Sequence, residues 1–229
     1  MQEDTLKQFL PATESWFRKT FGEPTKIQRE AWPAIADGKH VLVSAPTGTG
    51  KTLSAFLVFI DQLGGLAERG ELKEELYVIY VSPLKSLAGD IRENLRKPLE
   101  GIGAEAPGES KAESRPGNPF IGQIQAAIRT GDTPQKERQR MVKHPPHILI
   151  ITPESLYLML TSKSGRQVLK TAKAIILDEL HALIDTKRGA HLMLSVARLD
   201  KLCGRRLQRI GLSATIEPLE LAAAYLSPE

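Results

Sequence analysis

Six short apolar runs recur along the chain, at residues 40–45, 77–82, 125–130, 148–152, 174–178 and 208–213. Most are continuous rather than alternating, which suits strands buried on both faces of a parallel sheet. Longer stretches with apolar residues at helical spacing lie between them. Residues 52–67 carry Leu53, Phe56, Leu57, Ile60 and Leu63 on one side. Further helices are predicted at 84–95, 135–141, 155–160 and 189–202. Near the N-terminus, Leu6, Phe9 and Leu10, then Trp16 and Phe17, suggest a helix that packs an apolar side on the sheet. Strands alternating with helices of this length argue for βαβ units and a three-layer α/β fold.

Residues 101–119 break the pattern, being rich in Gly, Pro, Ser and Glu. They read as an exposed flexible insertion between a helix and a strand. Composition narrows the class further. Of 229 residues, 41% are hydrophobic and 25% charged, which excludes a wholly disordered chain, a collagen and a coiled-coil rod. The apolar runs are too short for a transmembrane helix. The start Met1-Gln2-Glu3-Asp4 lacks the apolar segment of a secretory signal. A single cysteine, Cys203, permits no internal disulfide and points to a reduced cytoplasmic setting. The net charge of +4 permits nucleic-acid binding without demonstrating it. His40, His144, His147, His181 and His191 have no zinc-type spacing with Cys or acids.

The sharpest local feature is Ala45-Pro46-Thr47-Gly48-Thr49-Gly50-Lys51-Thr52. It follows the apolar Val41-Leu42-Val43 and opens the helical pattern at 52–67, the context of a phosphate loop. Thr47 to Gly50 would wrap the phosphates, because Gly48 and Gly50 let backbone N–H groups approach closely. The following helix adds its positive end. Lys51 would reach the β- and γ-phosphates, and the Thr52 hydroxyl would ligate Mg²⁺. The general motif begins with Gly, where this chain has Ala45.

A second site must accompany such a loop. Asp178-Glu179-Leu180-His181 follows Ala174-Ile175-Ile176-Leu177, so the acids stand at the C-terminal end of a buried strand. Ligands of open α/β sheets gather at that edge. Asp178 is suited to hold Mg²⁺ and Glu179 to deprotonate an attacking water. A surface acidic turn or a helix cap is the alternative for the same residues.

With these residues in order, the sequence resembles the superfamily 2 helicases of the DExH-box group, over essentially its whole length. Phe21-Gly22-Glu23-Pro24-Thr25-Lys26-Ile27-Gln28 looks like the Q motif, which implies that Gln28 reads the adenine edge and Thr25 supports that loop. Phe21 is either the aromatic that stacks on adenine or a core residue. Ser82-Pro83-Leu84-Lys85-Ser86-Leu87 resembles motif Ia, Thr130-Gly131-Asp132-Thr133 the short motif after it, and Thr152-Pro153-Glu154-Ser155-Leu156 motif Ib. The resemblance implies that Pro83, Lys85, Ser86, Gly131, Asp132, Thr152, Pro153 and Glu154 lie along the phosphates of one nucleic-acid strand. Helix starts and hydroxyls suit that role, although each segment alone is also an ordinary helix cap. Ser213-Ala214-Thr215 resembles motif III, which couples the DExH site to strand handling through His181. The box followed by Lys187-Arg188-Gly189-Ala190-His191-Leu192 looks like the large helicase-related (Lhr) family. Ligase-associated DExH helicases and Ski2-like ones are the nearby alternatives. Arg188 either touches nucleic acid or is a plain exposed base.

The family resemblance implies a RecA-like P-loop NTPase fold, an α/β/α sandwich with a mainly parallel sheet, that binds ATP and Mg²⁺. It implies single-stranded or partly duplex nucleic acid as partner, DNA first and an RNA–DNA hybrid second. Movement 3′ to 5′ on DNA and a role in DNA repair follow from it as expectations. Family members place motifs IV to VI and the arginine fingers on a second RecA-like domain. Residues 1–229 are expected to be the first domain alone, binding ATP, hydrolysing it very weakly and not unwinding. Arginine fingers contribute about 10³ to 10⁵ in rate in related phosphate chemistry. A duplex translocase with the same motor, or a phosphotransferase acting on a small molecule, are the other classes open to this sequence.

Overall fold

A computed structural model describes residues 4–46, 48–83, 87–105 and 123–227. In chain order the elements are α1 (Pro11–Phe21), α2 (Lys26–Ala36), β1 (Val41–Ser44), α3 (Lys51–Glu68), β2 (Val78–Val81), α4 (Leu87–Glu105), β3 (Ala126–Arg129), α5 (Gln135–Lys143), β4 (Ile148–Ile151), α6 (Pro153–Thr161), α7 (Lys163–Leu169), β5 (Ala174–Leu177), α8 (Lys187–Cys203), β6 (Gln208–Ser213) and α9 (Leu219–Leu226). A 3-10 turn at Thr5–Gln8 precedes α1. The six strands form one sheet in the order β1-β6-β5-β2-β4-β3, and every pairing is parallel.

The alternation of side chains along each strand divides the core in two. Val78, Tyr80, Ile148, Ile150, Ile176, Ile210 and Leu212 pack against α1 to α4. Ile79, Val81, Leu149, Ile151, Ile175 and Leu177 face the opposite way and pack against α5 to α9. Strands covered on both faces need apolar residues at every position, which is why their runs are continuous. The result is the three-layer α/β/α sandwich expected of a RecA-like domain. Among the described residues no helix is long and apolar enough to cross a membrane.

The six expected strands lie within a residue or two of their observed bounds. Three helices, α2, α7 and α9, are additional to those the apolar spacing predicts; α7 and α9 are short, and α2 begins within the Gln28 segment. The largest correction concerns residues 101–119. Residues 101–105 are the last turn of α4, not loop. Ile102 there is fully buried, and Glu105 receives hydrogen bonds from Ser15 and Lys19 of α1. A Cβ on Gly101 would meet the Trp16 indole nitrogen at 2.1 Å, so this glycine serves close helix packing rather than flexibility. The remainder of the expected insertion, 106–119, lies outside the described residues.

Two polar contacts fix the outer helices. Arg209 is buried on β6 and binds Asp200 of α8 at 2.6 Å and the Leu226 carbonyl of α9 at 2.9 Å. Asp200 also accepts the Leu207 N–H at 2.9 Å. One ion pair thus registers two helices against the sheet, and breaking it would leave a buried charge alone.

On the other face, Asp61 of α3 accepts the Leu10 N–H at 2.8 Å, and burial pushes its carboxyl up to about 6. Its raised value makes folding favour the protonated form. That share of stability is whole below about pH 4 and is lost as pH rises through about 6. Asp61→Asn keeps an amide oxygen for Leu10 and removes the charge. Urea midpoints at pH 7.5 should rise by the equivalent of about 1–3 kcal/mol. The variant should also lose the wild-type slope between about pH 4 and 6; an unchanged slope would refute this account.

Candidate functional site

Because all strands are parallel, their C-terminal ends share one edge, and the loops that leave them stand side by side. The loops after β1, β6 and β5 occupy one half of that edge, and those after β2, β4 and β3 the other. The first half holds the glycine-rich loop, Ser213 to Thr215 and Asp178 to His181. The second holds Ser82 and Pro83, then Thr152 to Glu154, then Gly131 and Asp132.

A cavity of about 920 Å³ opens on the first half. Gly48, Thr49, Gly50, Lys51 and Thr52 form one wall, and Asp178 and Glu179 another. Gly48 and Gly50 both have φ of 82°, the left-handed region that turns the loop back onto the start of α3. Thr47 lies outside the described residues. The Lys51 ammonium folds onto its own loop, donating to the carbonyls of Ala45 and, at 2.8 Å, Pro46. A cation held by two carbonyls is ready to exchange them for a stronger anionic acceptor.

Asp178 is almost fully buried. Its Oδ1 accepts the Glu179 N–H at 2.9 Å, and its Oδ2 accepts the Tyr80 hydroxyl. Burial pushes its carboxyl above the ordinary value, and the Tyr80 hydrogen bond opposes that shift. Glu179 has φ 51° and ψ 46°, a left-handed conformation rare outside glycine. Strand alternation would send consecutive residues to opposite faces. The left-handed turn instead lets Asp178 and Glu179 line the same cavity.

His181 bridges two loops. Its Nδ1 accepts the Ala214 N–H at 3.1 Å and lies 3.4 Å from the Ser213 hydroxyl. A neutral ring that accepts at Nδ1 carries its proton on Nε2, which lies 3.3 Å from Glu179 Oε2. The imidazole therefore ties the acid pair after β5 to the loop after β6.

Gln28 is buried and closes a capping box on α2, its Oε1 accepting the Thr25 N–H at 2.9 Å. Its Nε2 sits against Gly50, where an added Cβ would meet it at 2.7 Å. So the side chain expected at an adenine edge also packs on the glycine-rich loop. Phe21 is 53% exposed and lines the cavity, which excludes the core alternative. The sequence reading missed Trp16, Thr20, Phe56, Asn94 and Lys97 on the same walls. Asn94 and Lys97 are one helical turn apart on α4, and no sequence pattern shows which way that face points.

The second half of the edge is built from helix starts. Thr152 caps α6, accepting the Ser155 N–H, with Pro153 at the first helical position. Gly131 and Asp132 form an exposed turn after β3. Pro83 is buried at the end of β2, and Lys85 and Ser86 lie outside the described residues. Glu154 is engaged by Arg188 in a two-pronged ion pair of 2.7 and 3.2 Å. Arg188 is thus not a plain exposed base, since it joins α6 to α8.

The donors present suit Mg²⁺. A carboxylate and a hydroxyl are hard oxygen ligands, and this ion is held by one or two protein groups together with phosphates and water. Among the described residues no group of three or more His, Cys, Asp and Glu could hold a metal ion.

Residues 25–222 match the model of the DEAD/DEAH box helicase family. An ATP-dependent helicase Lhr-Core of Methanothermobacter thermautotrophicus is 49% identical over 94% of this chain. A Lhr helicase/probable uracil glycosylase of Mycolicibacterium smegmatis is 48% identical over 98%. The chain spans 24% of the first relative and 14% of the second. The structure of Mycobacterium smegmatis helicase Lhr bound to ssDNA and AMP-PNP superposes with a TM-score of 0.87, at 47% identity, over 99% of this chain and 27% of that one.

A left-handed backbone costs a residue with a Cβ about 1–2 kcal/mol, and glycine gives back about 0.5–1 kcal/mol of that through its own freedom. Glu179→Gly should therefore melt at or slightly above the wild-type temperature, even if every activity is lost. A drop of several degrees by calorimetry would mean that the Glu179 side chain stabilises the fold rather than being held there at a cost.

Proposed function

Since the chain belongs to the DEAD/DEAH box helicase family, with Lhr helicases among its relatives, we propose that it is the ATP-binding motor domain of a nucleic-acid-dependent DExH helicase. The observation that carries this reading is the convergence of Lys51 and Thr52 with Asp178 and Glu179 on one cavity. In this reading Gly48, Gly50 and the N-terminus of α3 cradle the phosphates of ATP, with Thr47 and Thr49 completing the loop. Lys51 leaves its two loop carbonyls for the β- and γ-phosphates. Gln28 and Phe21 form the adenine side. Thr52 and Asp178 would hold Mg²⁺, which would supply positive charge beside the phosphates.

Glu179 takes the proton of the attacking water. Its contact with His181 passes the state of the nucleotide to Ser213, Ala214 and Thr215. The loops after β2, β4 and β3 then contact the phosphates of one strand, holding it without reading sequence. Glu154 and Arg188 satisfy each other, so the strand contact there falls to the start of α6 and its N–H groups. A second RecA-like domain completes the ATP cleft and supplies the arginine finger. The substrate is DNA, tracked 3′ to 5′, and the setting is intracellular and suited to repair. The relative solved with ssDNA and AMP-PNP supports both the strand and the nucleotide.

Titration with a fluorescent ATP analogue should give saturable binding that Lys51→Ala abolishes. Glu179→Gln should bind as the wild type does. In a chain that also carries the second motor domain, it should lose hydrolysis by at least about 10². Normal turnover there would sink the base assignment. ATPase that neither single-stranded DNA nor RNA stimulates would favour a small-molecule phosphotransferase instead.

A further inference from the structure

Tyr80 carries the one side-chain polar group in the strand Val78–Val81, and it is fully buried. A phenylalanine would fill the same apolar space without a hydroxyl to satisfy. The ring stacks on Phe56 of α3, with centroids 4.8 Å apart and planes 17° from parallel. The hydroxyl donates to Asp178 Oδ2, and the Thr52 side chain adjoins the same hydroxyl. Register explains the reach. Tyr80 pairs with Ile176 of β5, and Asp178 lies two residues farther along, on the same face of the sheet.

Two consequences follow from this geometry. The Asp178 carboxylate is held by one donor on each oxygen, the Glu179 N–H on Oδ1 and Tyr80 on Oδ2. Its rotation is thereby fixed and its remaining lone pairs are aimed. The stack on Phe56 also joins α3 to β2, so one residue contacts both the helix that begins at Thr52 and the Asp178 carboxylate.

We infer that Tyr80 is a positioning residue that aligns the Asp178 carboxylate with the Thr52 hydroxyl for the cation that accompanies the nucleotide. Its hydroxyl is spent on Asp178, so Tyr80 acts through that carboxylate. This inference rests on the ATP-binding reading given above. Tyr80 lies inside β2, outside every motif segment of the sequence.

Tyr80→Phe preserves the ring and its stack and removes one oxygen. Binding of a fluorescent ATP analogue is measured in EDTA and across a Mg²⁺ titration, for the wild type and the variant. In EDTA the two should agree within about twofold, while the Mg²⁺ needed for half-maximal enhancement should rise about tenfold in the variant, the scale of a lost hydrogen bond to a charged group. A purely structural role would weaken both conditions alike, and that result overturns the inference. So does a variant whose Mg²⁺ dependence equals the wild type's. A wild-type chain that binds no nucleotide sinks the functional reading and this inference together, so the two failures are distinguishable. Should Tyr80→Phe not fold, the unmodified chain decides. The Tyr80 hydroxyl proton, followed by NMR with labelled tyrosine, should shift on adding Mg²⁺ with nucleotide and stay in place with nucleotide and EDTA. An invariant resonance overturns the inference.

Discussion

Parallel pairing of six strands covered on both faces is the constraint from which the rest of this molecule follows. A strand sealed between two helical layers has no exposed polar surface of its own, so chemistry can occur only where the strands end. Parallel pairing then puts all six C-terminal ends on one edge. The order β1-β6-β5-β2-β4-β3 sorts those ends into two groups. The glycine-rich loop, the acid pair and the loop after β6 fall together, and the three loops with helix starts fall beside them. The two groups share no residue.

A small set of short polar contacts ties the loops at this edge to their neighbours. His181 receives a backbone N–H from the loop after β6 while facing Glu179. Tyr80 reaches from β2 to Asp178. Gln28 caps α2 and rests on Gly50. The first two contacts link a residue of the acid pair to a neighbouring strand or loop, and the third links two walls of the same cavity. The left-handed Glu179 backbone fits this picture, because strain is kept at a site only where the surroundings enforce it.

Much of the architecture was legible from the chain because burial on both faces leaves a strong mark. Val78-Ile79-Tyr80-Val81 and Ile148-Leu149-Ile150-Ile151 can hardly be anything but inner strands. The glycine-rich loop was legible too, since few backbones other than Gly48 and Gly50 take a φ of 82° without strain. Residues 101–105 misled for a physical reason. Gly101 looks like a flexible loop residue in sequence, yet its missing side chain is what allows Trp16 to pack on α4. Composition does not tell a glycine that frees the backbone from one that admits a neighbour.

The sequence by itself determined the alternation of strands and helices, the glycine-rich loop, the acid pair and the order of the motifs. These are local properties, encoded in periodicity, backbone permissiveness and residue chemistry within a few positions. Only the tertiary structure decided that Asp178 is held by Tyr80, that Arg188 is matched to Glu154, and that α1 and α4 wall the cavity with Phe21 and Lys97. Those facts depend on which strands are neighbours and which helix faces turn inward. Partners separated by tens of residues leave no periodic trace in a single chain, and the packed sheet alone brings them within hydrogen-bonding distance.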